Sequence, residues 1–586
     1  MNQIEVQNLP LTERKADFIW VLYGRRNEYE IESDDKLDTA MKMTVNGQRK
    51  QLEDWSQINW RQTRKAVRNL RQRIFRAKQL GNFRKLRSLQ KLMLRSYTNL
   101  LLAVRQITQT NDGKKTAGID KEVINTPAQR VKFVRDWKGT KPSPTRRVMI
   151  PKPNGKRRPL GIATIKDRVM QSVVKNALEP EWEAVFEDNS YGFRPGRSCQ
   201  DAIEQSFKRV CKGRDNWVLE ADIKGFFDNI AHEVILDSIS HFPRRELIRG
   251  WLKAGFMFQG KINPTELGTP QGGVISPLLA NIGLHGLETY IKSTNPKLGV
   301  VRYADDFIVT ARDKGSLEKA QIQIKQWMNS RGLELSSEKT VITSMSDGFD
   351  FLGFNLRHYS GKLLTKPSKK KVLAFCKRIG EEIKRLNGQE QEVVIRKLNP
   401  ILRGFANYYK GGVSKETFSY ISYRVWQYLW RWARRRHPNK SKKWVKNRYF
   451  KTIQNNRWTF ACESERRRKR VIITLYPIAK TPIERHIKVK GSASPDDPAL
   501  REYWDKRHQK NGKTYWEKVS KYYEVAKLQN WKCPICGEPL INGEEVETHH
   551  IVPVAKGGLD DTDNLQHLHA ACHKQVHSKP KLKGLK

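Results

Sequence analysis

The side chains of this chain best equipped for chemistry fall into two groups, one acidic and one of cysteine and histidine. In the first, Asp305 and Asp306 stand side by side in Gly-Val-Val-Arg-Tyr-Ala-Asp-Asp-Phe-Ile-Val-Thr, residues 299–310, and Asp222 ends the run Trp-Val-Leu-Glu-Ala-Asp. Adjacent carboxylates on buried backbone resist joint ionisation and call for a cation. Three of them can hold two divalent ions ~3.5–4 Å apart, as phosphoryl transfer uses: one ion activates an attacking 3′-hydroxyl and the second holds a leaving pyrophosphate. A solvated acidic turn carries the same Asp-Asp pair, and a lone Asp222 caps a helix equally well, so the chemistry depends on all three meeting. In the second group, Cys533-Pro-Ile-Cys536 aims two sulfurs at one ion. His549, His550, Asn564, His569, Cys572, His573 and His577 follow, with His573 and His577 four apart on one face of a helix. A purely structural zinc site accounts for the cysteines and leaves His549, His550 and Asn564 without a role.

Strands must carry the acidic group. Val300 and Val301 precede the pair and Phe307, Ile308 and Val309 follow it, so the spacing predicts strand, tight turn, strand. The run before Asp222 reads as a buried strand, and antiparallel strands of one sheet would unite the three. Residues 145–168 predict a hairpin around Pro-Asn-Gly that displays Lys152, Lys156, Arg157 and Arg158 to a triphosphate or a nucleic-acid backbone. Ser190-Tyr-Gly-Phe-Arg-Pro-Gly-Arg-Ser198 adds Arg194 and Arg197 on a bent loop. Gly268-Thr-Pro-Gln-Gly-Gly-Val-Ile-Ser-Pro277 brings backbone close to a ligand and leads into a helix from Leu278 to Ile291. Upstream, residues 60–107 are helical in period. Val67, Leu70, Ile74, Ala77, Phe83, Leu86, Leu89 and Met93 form the apolar face. Arg61, Arg64, Lys65, Arg68, Arg71, Arg73 and Arg76 face solvent or phosphate.

With 586 residues the chain needs three or more domains, and 111 Lys plus Arg against 61 Asp plus Glu, a net +50, make a polyanion the natural partner. No apolar run reaches the length of a membrane span and no signal pattern opens the chain, so a soluble cytosolic protein is expected. Residues 1–40 invert the trend, with five basic against nine acidic side chains. Residues 361–485 concentrate it, with 33 Lys/Arg against 8 Asp/Glu. There a helix starting near Pro400 offers Arg403, Tyr408 and Tyr409. Residues 420–436 interleave aromatics with Arg424, Arg431, Arg434, Arg435 and Arg436, a mixture suited to RNA phosphates and unpaired bases. Trp426, Leu429 and Trp430 are expected in a core. An Arg/Lys run over residues 466–470 precedes Gly-Ser-Ala-Ser-Pro-Asp-Asp-Pro, residues 491–498, which reads as a linker. Of seven cysteines, Cys199, Cys211, Cys376 and Cys462 are scattered, as reduced thiols are.

Taken in order, Arg-Pro-Leu-Gly-Ile, Tyr-Gly-Phe-Arg-Pro-Gly-Arg-Ser, Ala-Asp-Ile-Lys-Gly-Phe-Phe-Asp, Gly-Thr-Pro-Gln-Gly-Gly-Val-Ile-Ser-Pro and Tyr-Ala-Asp-Asp resemble reverse transcriptases encoded by bacterial group II introns. Gly332-Leu-Glu-Leu-Ser-Ser-Glu-Lys-Thr340 and Phe351-Leu-Gly-Phe354 complete the series. The resemblance implies an α+β multidomain, right-hand polymerase with fingers and palm over 56–360 and a helical thumb and maturase domain over 361–485, where Arg403, Arg434, Arg435 and Arg436 would meet RNA. Residues 1–55 are an extension without a defined role, and 486–525 a linker and DNA-binding region.

It makes Asp222, Asp305 and Asp306 the Mg2+-binding triad and sets Lys152, Arg158 and Lys339 near the triphosphate. Gln271 would line the nucleotide pocket and Phe227 would exclude a 2′-hydroxyl. Ala163 departs from the family, which often has Pro there. The last segment, 526–586, resembles an HNH endonuclease of ββα-metal fold. That makes His550 the general base, Asn564 the residue that holds the loop, and His549 with His573, His577 or both the ligands of a divalent ion. Zn2+ would take Cys533, Cys536 and Cys572, with His569 where the family has a cysteine. The implied protein copies, splices and nicks. Its partners are intron RNA, double-stranded DNA and deoxynucleoside triphosphates, without membrane, in bacterial cytoplasm and at the nucleoid when on DNA. A reverse transcriptase of another retroelement and a splicing-only maturase are the alternatives.

Overall fold

The computed structural model describes residues 52–151, 155, 157–453, 455–466, 469–516 and 520–578. The expectations for residues 1–40, for Lys152 and Lys156 and for part of the 466–470 run lie outside them.

Three helices open the described chain: α1 (Trp60–Gln79), α2 (Phe83–Arg95) and α3 (Tyr97–Arg105). Each starts on a polar cap, with Asn59 accepting from Gln62 N at 3.0 Å, Asn82 from Lys85 N at 2.9 Å and Ser96 from Asn99 N at 3.3 Å. Val67, Leu70, Ile74, Ala77, Leu86, Leu89 and Met93 are buried, as their spacing predicts. Phe83 is 54 % exposed, because as the first residue of α2 it overhangs the core. The basic face of α1 is turned partly inward: Arg64 pairs with Glu544 at 2.9 Å, Arg68 with Glu538 at 3.0 Å, and Arg71 with Glu179 at 3.0 Å and Asp496 at 2.6 Å. Those three arginines meet the protein's own carboxylates instead of phosphate.

β1 (Thr145–Pro151) and β2 (Arg157–Ile162) form the expected antiparallel hairpin, with Val148 opposite Leu160. α4 (Ile165–Glu183) packs against the first three helices, and α5 (Cys199–Val210) is capped by Ser198. β3 (Trp217–Asp222) is followed by β4 (Phe256–Phe258) and β5 (Lys261–Asn263), which extend the hairpin into a sheet of order β2-β1-β4-β5. The helix expected over 278–291 is two, α6 (Ser276–Gly283) and α7 (Leu287–Thr294), broken where Gly286 turns left-handed at φ +93°. β6 (Gly299–Tyr303), β7 (Asp306–Ala311) and β8 (Val341–Ser344) join β3 in the order β6-β7-β3-β8. This sheet separates two cores. Leu219, Val300 and Val309 enter one and Val218, Val301 and Ile308 the other, which is why its strands read as continuous apolar runs.

β9 (Phe349–Phe351), β10 (Phe354–Tyr359) and β11 (Lys362–Pro367) form a small sheet ahead of α8 (Lys369–Arg385), α9 (Gln391–Tyr409) and α10 (Lys415–Arg436). α9 starts at Gln391 and carries Pro400 inside it. Proline there forfeits one backbone bond, and buried Leu398 and Leu402 hold the turn. β12 (Phe450–Ile453), β13 (Asn456–Arg466) and β14 (Lys469–Thr474) make a third sheet. Residues 491–498 do not behave as a free linker: Asp496 is buried under Arg71, and Trp504 of α11 (Arg501–Lys513) donates to Ser494 O at 2.8 Å. The chain ends in a ββα unit of β15 (Val546–His550), β16 (Leu565–His569) and α12 (Ala570–Ser578). Cys533, Leu540, Leu568 and Cys572 of this unit share one core with Trp55 and Trp60. Among the described residues, no helix is long and apolar enough to cross a membrane.

Candidate active sites

The three carboxylates meet. β3 and β7 are antiparallel with Asp222 directly opposite Asp306, and Asp305 occupies the turn between β6 and β7. Ala304 makes this turn at φ +59°, a left-handed conformation that disfavours any side chain. What holds it is Arg302, buried beneath, whose Nη1 donates to Ala304 O at 3.2 Å and Asn281 Oδ1 at 3.1 Å. Burial pulls that guanidinium down to about 10, still charged at neutral pH. From the other side Tyr191 N donates to Arg302 O and Arg302 N to Asn189 O, both at 2.9 Å. A methyl on Gly192 would stand 2.9 Å from Tyr303 C and 3.0 Å from Ala304 Cα. The 190–198 loop is therefore a brace and not a cationic tongue. Arg194 is spent on Glu183 at 3.0 Å and on the carbonyls of Glu187 and Ser190, and Arg197 on Asp188 O at 2.8 Å. Sequence reasoning missed this brace; the close run of Gly and Pro around Arg194 was its only signal.

The electrostatics of the acidic site favour cations. Burial, then the charges of Asp305 and Asp222, push Asp306 up to about 6. Burial first, then Asp222, raises Asp305 as well. Lys339 Nζ lies 2.8 Å from Asp222 Oδ2, the ion pair raising the ammonium in turn. Lys339 thus stands at the acidic group. One ammonium on Asp222, with the Arg158 guanidinium acting on Asp305, still leaves three carboxylates an excess of negative charge that divalent cations fit.

Beside it, Arg158 Nε donates to Gln271 Oε1 at 2.6 Å, and Gln271 Nε2 to Asp228 Oδ2 at 3.2 Å. Asp228 is a member of this chain of bonds that the sequence did not single out. The Phe227 ring is buried edge-on to Phe193 and Phe226, centroids 6.3 and 5.3 Å away. Its carbonyl accepts from Thr269 N at 2.7 Å, and a Cβ on Gly268 (φ +82°) would lie 2.5 Å from that oxygen, so glycine is required there.

On the basic helices Arg403, Arg434, Arg435 and Arg436 are exposed. Arg436 also donates to Gln389 O at 2.8 Å and covers the Trp432 ring, and Arg403 covers Tyr476. Tyr408 and Tyr409 are committed inward against Phe354. Leu429 is buried, whereas Trp426 and Trp430 are half-buried and stacked 6.4 Å apart, with Tyr423 stacked on Trp426.

In the ββα unit the sequence-predicted residues converge on two points. Cys533, Cys536, His569 and Cys572 are all buried, with ligand atoms within 4.8 Å of one another. Cys536 Sγ is 3.3 Å from His569 Nδ1, and hydrogen bonds from Cys536 and Cys572 pull the Cys533 thiol far below its ordinary range. Three sulfurs and one nitrogen converging in a buried site are the donor set of structural zinc. The second point is formed by His549, His573 and His577, whose facing nitrogens are 3.1 and 3.0 Å apart along the chain of three. Glu547 Oε2 takes His573 Nδ1 at 2.5 Å, as a carboxylate behind a metal-bound imidazole does. His550 is directed elsewhere, with Nε2 3.1 Å from Asp560 Oδ1 and Lys521 Nζ 2.7 Å from Asp560 Oδ2. Asn564 ties the connecting loop together, accepting from Val552 N at 2.7 Å and donating to Val552 O at 3.0 Å and Leu559 O at 2.7 Å.

Four family models match the chain: the N-terminal domain of reverse transcriptase over 55–137, reverse transcriptase (RNA-dependent DNA polymerase) over 150–356, the group II intron maturase-specific domain over 372–450, and HNH endonuclease over 533–579. Group II intron-encoded protein LtrA of Lactococcus lactis subsp. cremoris is 35% identical, the match covering 42% of this chain and 53% of LtrA, about half that relative's length. Protein YkfC of Escherichia coli is 33% identical over 44% of this chain and 80% of its own. An uncharacterized 91 kDa protein in the cob intron of Schizosaccharomyces pombe is 29% identical over 51% of this chain and 46% of its own. An acidic triad on one sheet, a maturase-specific segment and a His/Asn-bearing ββα unit follow one another as these matches do, and the chain belongs to the group II intron-encoded reverse transcriptase and maturase proteins that carry an HNH endonuclease domain.

Proposed function

We propose that this protein is an RNA-directed DNA polymerase, a maturase that aids splicing of its intron RNA, and a nuclease that nicks target DNA so that the free 3′ end primes copying of the intron. In this reading residues 56–360 are fingers and palm of a right-hand polymerase, 361–485 thumb and maturase domain, 486–525 a connection that contributes to DNA binding, and 526–586 the nuclease. The observation that carries it is the pairing of Asp222 with Asp306, with Asp305 beside them on a turn braced by buried Arg302.

Two Mg2+ ions held by Asp222, Asp305 and Asp306 would supply Lewis acidity at the attacking hydroxyl and the leaving phosphates. The 3′ oxygen bonds to the α-phosphorus of a deoxynucleotide, and the bond from that phosphorus to pyrophosphate breaks. Arg158, oriented by its bond to Gln271, meets the triphosphate, with Lys152 from the hairpin tip. Phe227, fixed by the Thr269 and Phe193 contacts, fills the space a 2′-hydroxyl needs. Lys339 offsets part of the charge on Asp222. Arg403, Arg434, Arg435 and Arg436 contact intron RNA.

In the nuclease His550 takes a proton from water as it attacks the scissile phosphate. His549, His573 and His577 would hold the divalent ion that stabilises the departing 3′ oxygen. Zn2+ on Cys533, Cys536, His569 and Cys572 would be structural. A bacterial cytoplasmic location, at the nucleoid when bound to DNA, follows from these roles.

Primer extension on an RNA template tests the polymerase: Asp305→Ala and Asp306→Ala should each abolish it, and undiminished extension sinks the assignment. His550→Ala should stop target-strand nicking while extension continues; nicking at the wild-type rate removes His550 as the base.

A further inference from the structure

Arg105 closes α3 in the amino-terminal helical layer and is 2 % exposed. Its guanidinium lies over the Trp60 ring at 4.5 Å, and its Nη2 donates to Cys572 Sγ of the ββα unit at 3.1 Å. Nε and Nη1 have no hydrogen-bond partner, and among the described residues no carboxylate is paired with Arg105. A guanidinium stays charged in any protein interior, and burying a charge without an opposite one is costly. Nearby Arg64 and Arg68 cross to the same unit and each finds a carboxylate, Glu544 or Glu538. Arg105 finds only sulfur.

That placement makes sense if the sulfur carries charge. Three thiolates and a neutral imidazole around Zn2+ sum to one negative charge, enclosed in a core that contains Cys533, Cys536 and Cys572 together with Trp60. We propose that Arg105 is the counter-cation of the zinc–thiolate cluster, supplied by the polymerase-side helices, and that metal loading therefore fixes the nuclease unit onto those helices. The proposal rests on reading the cluster as a zinc site. The surrounding contacts agree with a permanent joint: Gln575 Nε2 donates to Ser56 O at 2.7 Å and Ile58 O at 2.9 Å, and a Cβ on Gly537 would lie 3.3 Å from Arg61 Cγ. Arg105 is then a positioning residue for the metal, acting through Cys572.

The test uses the full-length protein. Zinc content, and the rate at which a chromophoric chelator removes the ion, are measured for wild type, Arg105→Met, Arg105→Lys, Arg68→Ala and Cys572→Ala, with primer extension as a check that the rest is folded. Wild type should hold one zinc more than Cys572→Ala, whatever the three-histidine site takes up. Arg105→Met should lose its ion about ten- to a hundredfold more readily, the usual effect of removing a partner behind a metal ligand. Arg105→Lys should recover part of that loss, and Arg68→Ala, whose partner is Glu538, should match wild type. Co2+-substituted protein should show a shifted sulfur-to-metal absorption band in Arg105→Met only. Zinc held as tightly by Arg105→Met as by wild type overturns the proposal and leaves the zinc reading standing, whereas a wild type without zinc overturns both. Should Arg105→Met fail to fold, wild type alone decides. Stripping its zinc should raise amide exchange in 97–105 and 570–578 together, and unchanged protection in 97–105 overturns the coupling.

Discussion

The acidic site and the ββα unit are both built for metal, on opposite plans. The first draws its ligands from strands far apart in sequence and holds them in conflict, with burial and like charges pushing Asp306 up to about 6. The second draws soft and neutral donors from within residues 533–577, already converged in two clusters of ligand atoms within 4.8 Å. Carboxylates in conflict suit hard ions that come and go with a substrate, whereas buried sulfur and nitrogen make the ion part of the fold. The comparison breaks if the two sites respond alike to metal removal. A zinc-selective chelator, followed by excess Mg2+, should abolish nicking and melt the ββα unit, because structural zinc contributes roughly 10–16 kcal/mol in small modules. Extension should persist within about twofold. Loss of both activities in parallel refutes the separation.

The next largest effect is expected at the brace of the acidic turn. Gly192→Ala puts a methyl against the backbone of Tyr303 and Ala304, neither of which can give way without moving Asp305. Overpacking against fixed backbone costs on the order of 3 kcal/mol, and a displaced carboxylate costs extension tenfold or more. Nicking by the same variant should be unchanged. Wild-type extension from Gly192→Ala means that the turn tolerates movement and that the loop is not its brace.

How far this was legible in the sequence follows from the kind of interaction. β3 ends at Asp222 and β7 starts at Asp306 where the apolar runs stop, because burial on both faces of one sheet writes itself as continuous hydrophobicity. The Cys and His spacing announced both clusters, since ligands within one small unit are close in sequence. Long-range pairing of charge was invisible. Arg71 with Asp496 and Arg105 with Cys572 each join segments that lie more than 400 residues apart and that read as solvated helix, linker or metal module. A basic composition says how many arginines exist and nothing about which ones the protein spends on itself. Pro400 inside α9 is the same lesson for local structure, since tertiary packing at Leu398 and Leu402 outweighed propensity.

Acid separates the two regions again. His285 lies edge-on to Trp182 and Phe186, and burial, then repulsion from Arg302 and Arg194, lowers it to about 4. A histidine depressed in the native state contributes nothing to stability's pH dependence above about 6.5, where neither state binds the proton. As pH falls below that value the unfolded chain protonates first, so the native state loses stability until about pH 4, where it protonates too. The loss should reach about 2 kcal/mol by pH 5. Urea melts of wild type and His285→Gln between pH 7 and pH 4.5 measure it. The variant should show a shallower decline in the polymerase-region transition, and identical slopes would remove His285 as the cause.

The smallest effect tests how the nuclease base is set. With Nε2–H given to Asp560 Oδ1 at 3.1 Å, Nδ1 of His550 becomes the atom that accepts a proton. Asp560→Asn keeps the shape of that acceptor and removes its charge, so the imidazolium formed during attack is less stabilised. Asp560 is 46% exposed and shares its other oxygen with Lys521 at 2.7 Å, so water and the ammonium already screen it. A screened pair of this kind contributes about 1 kcal/mol or less, which predicts a nicking rate lower by at most about fivefold, with substrate affinity and primer extension unchanged. Lys521→Ala, which unscreens the carboxylate, should move nicking the other way or leave it as it is. A thousandfold loss in Asp560→Asn would mean that the carboxylate is far less hydrated during attack than it is here, and that target DNA closes over His550 before the water does its work.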